Sequence, residues 1–156
     1  MAFVECVPNI SEGRRTAVVD ALASVVLGAR GVHLLDRTSD SDHNRSVFTL
    51  AGAATDLQAA ILALFDGAIR NIDMRTHRGV HPRVGAVDVV PFVPVGAVSM
   101  SACIALARDT AAEVARRFPG VREVFIQAHD GTKLHAWLAQ GGEATGELSE
   151  IGRAHV

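Results

Sequence analysis

The sequence predicts an α/β (α+β) domain, with a mixed β-sheet of about five or six strands and helices packed on it. Three observations lead there. Short β-branched runs, such as Val47-Phe-Thr-Leu50 and the stretch from Val87 to Val95, alternate with longer segments whose apolar residues recur at helical spacing. The connections are short and rich in Gly, Pro, Asn and Asp, with no internal repeat or low-complexity tract. The chain has 156 residues, 49% of them hydrophobic and 21% charged, which is enough for one core and is neither a disordered nor a collagenous composition.

Fifteen basic against seventeen acidic residues leave a net charge of -2, so no overall basic field draws the chain to nucleic acid or to an anionic membrane. Nearly all of the positive charge is arginine, with Lys133 the sole lysine. Cys6 and Cys103 lie in apolar contexts without CxxC spacing, which predicts buried, reduced thiols in a cytosolic protein. The opening Met1-Ala-Phe-Val-Glu5 lacks the basic and apolar tracts of a signal peptide, and no apolar run approaches the roughly 20 residues that span a bilayer.

Taken in order, Phe3 to Val7 read as a strand stopped at Pro8-Asn9, and Ser11 is the expected N-cap of a helix whose apolar positions run from Val18 to Ala29. Val32, Leu34 and Leu35 form a second strand. A polar loop from Asp36 to Arg45 then joins it to a third, Val47 to Leu50, as an antiparallel pair. A second helix, capped by Thr55 or Asp56, buries Leu57, Ile61, Leu64, Phe65, Ala68, Ile69 and Ile72. Val87 to Val95 reads as a strand buried on both faces. Ser99 or Ser101 caps a third helix that Pro119-Gly120 ends, Val124 to Ile126 is a fifth strand, and a short helix is expected from Thr132 to Ala139. The order βαββαβ is that of the ferredoxin-like split βαβ core, with αβ as an extension.

The chemistry concentrates between Asp73 and Asp88, where two histidines, three arginines and two aspartates share a loop that Gly79, Pro82 and Gly85 keep from being a regular helix. Pro82 pushes His81 into an extended conformation beside Arg83, and an imidazole held that way suits proton removal near neutral pH. A loop histidine bonded to a carbonyl is the equal alternative. His77 and His81 have the i,i+4 spacing of zinc ligands, but the glycine and proline argue against the helix such a pair needs and no HExxH glutamate is present, so no metal is expected. Asp40, Asp42 and His43 lack the glycine and distal glutamate of an EF-hand and read by default as a solvated turn. Arg45, Arg78 and Arg83 have the fork that pairs with carboxylates, or else are surface charges partnered by Asp36, Asp73 or Asp88. The Pro8 to Gly13 turn could offer backbone N–H groups to an anion at a helix N-terminus, although it has no phosphate-loop pattern.

Several motifs together resemble the N-terminal subdomain of glutamate formiminotransferase, of the formiminotransferase-cyclodeaminase family. They are Val4-Glu-Cys-Val-Pro-Asn-Ile-Ser-Glu-Gly13, Leu34-Leu-Asp36, His43-Asn-Arg-Ser-Val-Phe-Thr49, Ile72-Asp-Met74 and His77-Arg-Gly-Val-His-Pro-Arg-Val-Gly-Ala-Val-Asp-Val-Val-Pro-Phe92. The resemblance implies transfer of a formimino group from N-formimino-L-glutamate to N5 of tetrahydrofolate, in histidine breakdown in the cytoplasm. Folate is then an acceptor substrate, with no metal. His81 takes the place of the catalytic acid/base, Asp40 and Asp42 supply acidic residues near it, and Asn9, Arg45, His77, Arg83 and Asp88 bind substrate or folate.

The chain departs from the pattern in two ways. Phe125-Ile-Gln-Ala-His-Asp-Gly131 replaces a Tyr-Gly-Glu-Ala-Ala-like stretch, and the second subdomain that closes the folate cleft is absent, so a partner in cis or trans, within a homo-oligomer, is implied. A catalytically silent half-domain that binds folate or another anion is the alternative. Residues 1–150 are expected to form this subdomain. The final hexapeptide from Ile151 to Val156 coincides with the translation of a common sequencing adapter and is expected to be a non-native tail on a truncated chain.

Overall fold

The computed structural model describes residues 3–80, 85–119, 121–127 and 133–139, the last two segments as backbone. His81, Arg83, the Ala128 to Gly131 part of the divergent stretch and the expected tail at 151–156 lie outside the described residues. The elements are β1 (Val4–Cys6), β2 (Asn9–Ile10), α1 (Thr16–Leu27), β3 (Val32–Asp40), β4 (Arg45–Gly52), α2 (Ala54–Asn71), β5 (Phe92–Pro94), α3 (Met100–Arg117), β6 (Val121–Gln127) and β7 (Lys133–Ala139).

The sheet is an α+β arrangement in which β5 lies beside β1, β1 and β2 lie beside β4, and β4 lies beside β3. Counting β1 and β2 as one broken strand, this is the spatial order of a split βαβ core. Every pairing among the described strands is antiparallel. Pro8 has no N–H to give, so the first strand breaks there, but it resumes: Asn9 and Ile10 pair with Val47 and Ser46 of the same neighbour.

β4 alternates half-buried and buried residues along its length and sends Ser46, Phe48 and Leu50 inward. α2 lies over β1, β3 and β4, with α1 and α3 packed against it. Leu57, Ile61, Leu64 and Phe65 of α2 are fully buried, and they meet Leu22 and Val26 of α1 in one core. Cys6 and Cys103 are both free and buried, and burial pushes the Cys6 thiol far above its ordinary value.

Several expectations are corrected. β3 does not give way to a loop at Asp36; after a bulge between Leu34 and Asp36 it stays paired with β4 as far as Asp40, leaving only Ser41 to Asn44 as the turn. Its polar residues are tolerated because β3 is an edge strand with an exposed face. α1 starts at Thr16 behind Arg15, not behind Ser11, and α2 starts behind Ala53, with no side-chain cap on either. Ser99 does cap α3, its hydroxyl accepting the Ala102 N–H at 3.2 Å.

The segment from Val87 to Val95 is not a strand buried on both faces. It is an interrupted edge in which Val87 and Val90 are buried while Val89 and Val93 are 41% and 38% exposed, and Pro91 and Pro94 deny it a continuous ladder. Lys133–Ala139 is a strand, not a helix, because each of its residues finds a backbone partner in β6 from Gln127 back to Val121.

Phe65 is fully buried and stacks on Phe118, with ring centroids 6.3 Å apart. Phe65→Ala is therefore expected to cost about 3–5 kcal/mol of stability, read as a lower urea midpoint at unchanged slope.

Candidate active site

Three segments meet at the tip of the β3–β4 hairpin: the turn after β2, the hairpin tip itself, and the loop after α2. Each arrives with backbone groups that its own element does not satisfy, and the hydrogen bonds that join them each use at least one main-chain group.

The loop after α2 opens with a closed turn. The Asp73 carbonyl accepts the Thr76 and His77 N–H groups at 3.2 and 3.1 Å, and its carboxylate receives Nε and Nη2 of Arg75 at 2.8 and 2.9 Å. That guanidinium holds the Asp73 carboxyl below its ordinary value. The turn directs His77 inward, where the residue is 7% exposed and its Nε2 lies 3.0 Å from the Asn44 carbonyl. A carbonyl only accepts, so Nε2 carries the proton of this bond. Nδ1 is buried and has no partner among the described residues.

Beyond His77 the loop lies against the hairpin tip, where the Val80 N–H donates to the Asp42 carbonyl at 3.1 Å. Gly79 permits this approach, because a Cβ there would stand 2.2 Å from the His43 carbonyl oxygen. Arg78 turns back on its own loop and donates to the His77 and Arg75 carbonyls, and among the described residues it pairs with none of Asp36, Asp73 and Asp88, the alternative partners read from the sequence.

At the tip, Asp40 Oδ1 accepts the N–H groups of Asp42 and His43, both at 2.8 Å, while Oδ2 lies 3.0 Å from His43 Nδ1. The His43 N–H, then its ring, hold the Asp40 carboxyl below its ordinary value, so it is an anion near neutral pH. Asp40 is paired in register with Arg45, the first residue of β4, and Arg14 donates through Nε to the Ser41 carbonyl at 2.7 Å.

The chain returns to the sheet at Gly85. Ser11 receives it, donating its N–H to the Ala86 carbonyl at 3.0 Å and its hydroxyl to the Gly85 carbonyl at 2.6 Å. Asp88 is buried and accepts the Gly85 N–H at 3.3 Å, while its own N–H donates to the Asn9 carbonyl at 2.8 Å. Asn9 and Asp88 therefore face each other across neighbouring segments. The structure thus brings Asp42 to Val80, a few residues past His77, and Asn9 and Asp88 to the Gly85 side of the loop, while Asp40 and Arg45 pair with each other across the hairpin beside Asp42. Among the described residues, no three His, Cys, Asp or Glu side chains are grouped as a metal ion would require.

Three residues emerge that sequence reasoning passed over. Ser11, expected to cap a helix, instead anchors the loop's return. Asn44 accepts the Gly13 N–H on Oδ1 and donates from Nδ2 to the Arg78 carbonyl, both at 2.9 Å. Its signal in the sequence is an asparagine at a tight hairpin turn, where φ of 50° suits that residue type.

Glu12 is the third. Its side chain is only 3% exposed, and its carboxylate is filled by the chain itself: Oε1 accepts the Arg14 and Arg15 N–H groups at 2.9 and 2.8 Å, and Oε2 meets Arg15 Nε at 2.5 Å. The N–H groups that might have served an external anion ahead of α1 are thus taken by an internal carboxylate. Burial raises the Glu12 carboxyl, but the N–H groups of Arg15 and Arg14 and the Arg15 guanidinium outweigh it and leave it below the ordinary 4.5.

A depressed carboxyl contributes stability above its unfolded value, and that contribution disappears as pH falls through the folded value. Glu12→Gln is accordingly expected to lower stability by about 1–3 kcal/mol at pH 7, with the difference from the parent shrinking as the pH drops below 4.5. Urea denaturation of both proteins across that range measures it.

Residues 3–140 match the family of the formiminotransferase domain, N-terminal subdomain. A glutamate formimidoyltransferase of Streptococcus pyogenes serotype M1 is 46% identical over 114 residues, covering 73% of this chain and 38% of that protein. One from Thermoplasma acidophilum is 44% identical over 109 residues, covering 70% and 36%. The formimidoyltransferase-cyclodeaminase of Sus scrofa is 44% identical over 106 residues, covering 68% of this chain and 20% of that protein. The chain therefore spans well under half the length of these relatives. Matched over residues 3–140 and built on a split βαβ order, the chain belongs to the formiminotransferase domain family, as the N-terminal subdomain.

Proposed function

We propose that this chain is the N-terminal half of a catalytic unit that moves a formimino group from N-formimino-L-glutamate to N5 of tetrahydrofolate, in histidine degradation in the cytoplasm. The observation that carries the reading is the pinning of the loop on both sides of residues 81–84. Val80, bonded directly to His81 in the chain, is held by the Asp42 carbonyl, and Gly85 is held by Ser11 and Asp88. Fixed ends are what a positioned acid/base needs, since its geometry must be set before the substrate arrives.

In this reading N5 of the folate attacks the amidine carbon and a C–N bond forms as His81 removes the N5 proton. His81 then returns a proton to the glutamate nitrogen as the second C–N bond breaks, releasing glutamate and formimino-folate. Asp40, kept anionic by the His43 contacts, and Asp42 stabilise the imidazolium that forms between the two steps. Arg45 and Arg83 hold substrate carboxylates through their forked donors. Asn9, His77 and Asp88 shape the floor of the folate site.

The remainder of a full-length protein supplies the second wall of the cleft, within a homo-oligomer. The relatives of which this chain covers little more than a third favour that requirement. His81→Ala in the full-length protein is expected to lower kcat for formimino transfer by about 100-fold or more with the far-UV circular dichroism unchanged. An unchanged rate rules out His81 as acid/base. Absence of transfer in the parent, with folate still bound, establishes the silent half-domain instead.

A further inference from the structure

Asn44 makes a set of contacts that no turn requires. It is the only non-glycine among the described residues with positive φ, at 50°, and it is 7% exposed although it sits at a hairpin tip. Few side chains other than asparagine and aspartate tolerate that backbone, and a residue held in it is fixed by its surrounding contacts. The contacts come from both sides. Oδ1 accepts the Gly13 N–H and Nδ2 donates to the Arg78 carbonyl, each at 2.9 Å, while the main-chain carbonyl accepts from His77 Nε2 at 3.0 Å.

The space around Asn44 is cleared by two glycines. A Cβ at Gly13 would stand 2.3 Å from the Asp40 carbonyl oxygen, and one at Gly79 would stand 2.2 Å from that of His43. The β2–α1 turn and the loop after α2 thus close on the hairpin tip from opposite sides, and the Asn44 amide spans them with one acceptor and one donor. Asparagine satisfies both at once; aspartate offers no donor to the Arg78 carbonyl, and glycine offers neither group.

We propose that Asn44 is a positioning residue, which sets the His77 to Val80 arm of the loop against the hairpin tip and thereby the chain position from which His81 departs. The proposal rests on the catalytic reading of His81, but the arm's attachment can be measured without it. Asn44→Gly keeps the left-handed backbone at no steric cost and removes only the amide. Asn44→Asp keeps the acceptor for Gly13 and removes the donor.

Two measurements test this. In native-state hydrogen exchange on this chain, the Val80 amide is expected to exchange at least about tenfold faster in both variants than in the parent, while amides of β4 such as Leu50 exchange as before. In the full-length protein, kcat for formimino transfer is expected to fall by about 10- to 100-fold with KM values within about threefold, with the folded fraction of each variant fixed by far-UV circular dichroism because a loss of folded protein alone lowers the apparent kcat at unchanged KM. Unchanged Val80 exchange in both variants overturns the proposal, as does a kcat within twofold of an active parent. If the parent has no activity, the catalytic reading fails and the exchange arm still decides whether Asn44 holds the loop.

Discussion

The two-sided backbone ladder of β4 is the interaction on which the rest of the structure depends. On one side β4 takes β3 from Val32 to Asp40, and on the other it takes both pieces of the strand that Pro8 breaks. Because its partners run antiparallel on both sides, the start of β4 at Arg45 lies beside the end of β3 and next to the turn after β2. The hairpin tip and the Ser11–Gly13 turn are thereby brought to one end of the sheet before any side chain contributes.

That placement explains why the loop after α2 can be so charged and still be held against the hairpin tip. α2 delivers the chain to Asp73 at the same end of the sheet, where main-chain acceptors at Asp42 and Asn44 are already fixed. The loop then binds mostly through backbone: Val80 to Asp42, Ser11 to Ala86, Asp88 to Asn9. Main-chain contacts leave side chains available for chemistry, a common division of labour in functional loops. The charges that are consumed structurally pair close by in sequence, as Asp73 does with Arg75 and Glu12 with Arg15.

Glu12 and Asp40 show how a carboxylate is used in two ways. Glu12 is withdrawn from solvent, and its two oxygens are filled by donors from its own turn, so it acts as an internal counterion ahead of α1. Asp40 is also bonded to nearby N–H groups, but its side chain stays half exposed at the hairpin tip, where it meets a histidine. The first stabilises the scaffold, and the second keeps a negative charge at the surface that the loop ends face.

Much was legible from the residues alone. The periodicity of Leu57, Ile61, Leu64 and Phe65 marked a helix face that is in fact fully buried, Ser99 was readable as a cap, and the density of ionisable groups between Asp73 and Asp88 marked the loop. Local sequence determines such features because their causes are local: helical spacing, a hydroxyl ahead of a helix, a proline or glycine in a loop. The tertiary structure decided whatever depends on a distant partner. Asp36 to Asp40 look like loop but are strand because β4 offers them a ladder, and Lys133 to Ala139 are strand because β6 does. Ser11 looks like a cap but bonds to Gly85, and Asn44 looks like an ordinary turn residue but joins segments on either side of it. A hydrogen bond to another segment leaves no mark on the composition or spacing of either one, and only folding reveals which groups it satisfies.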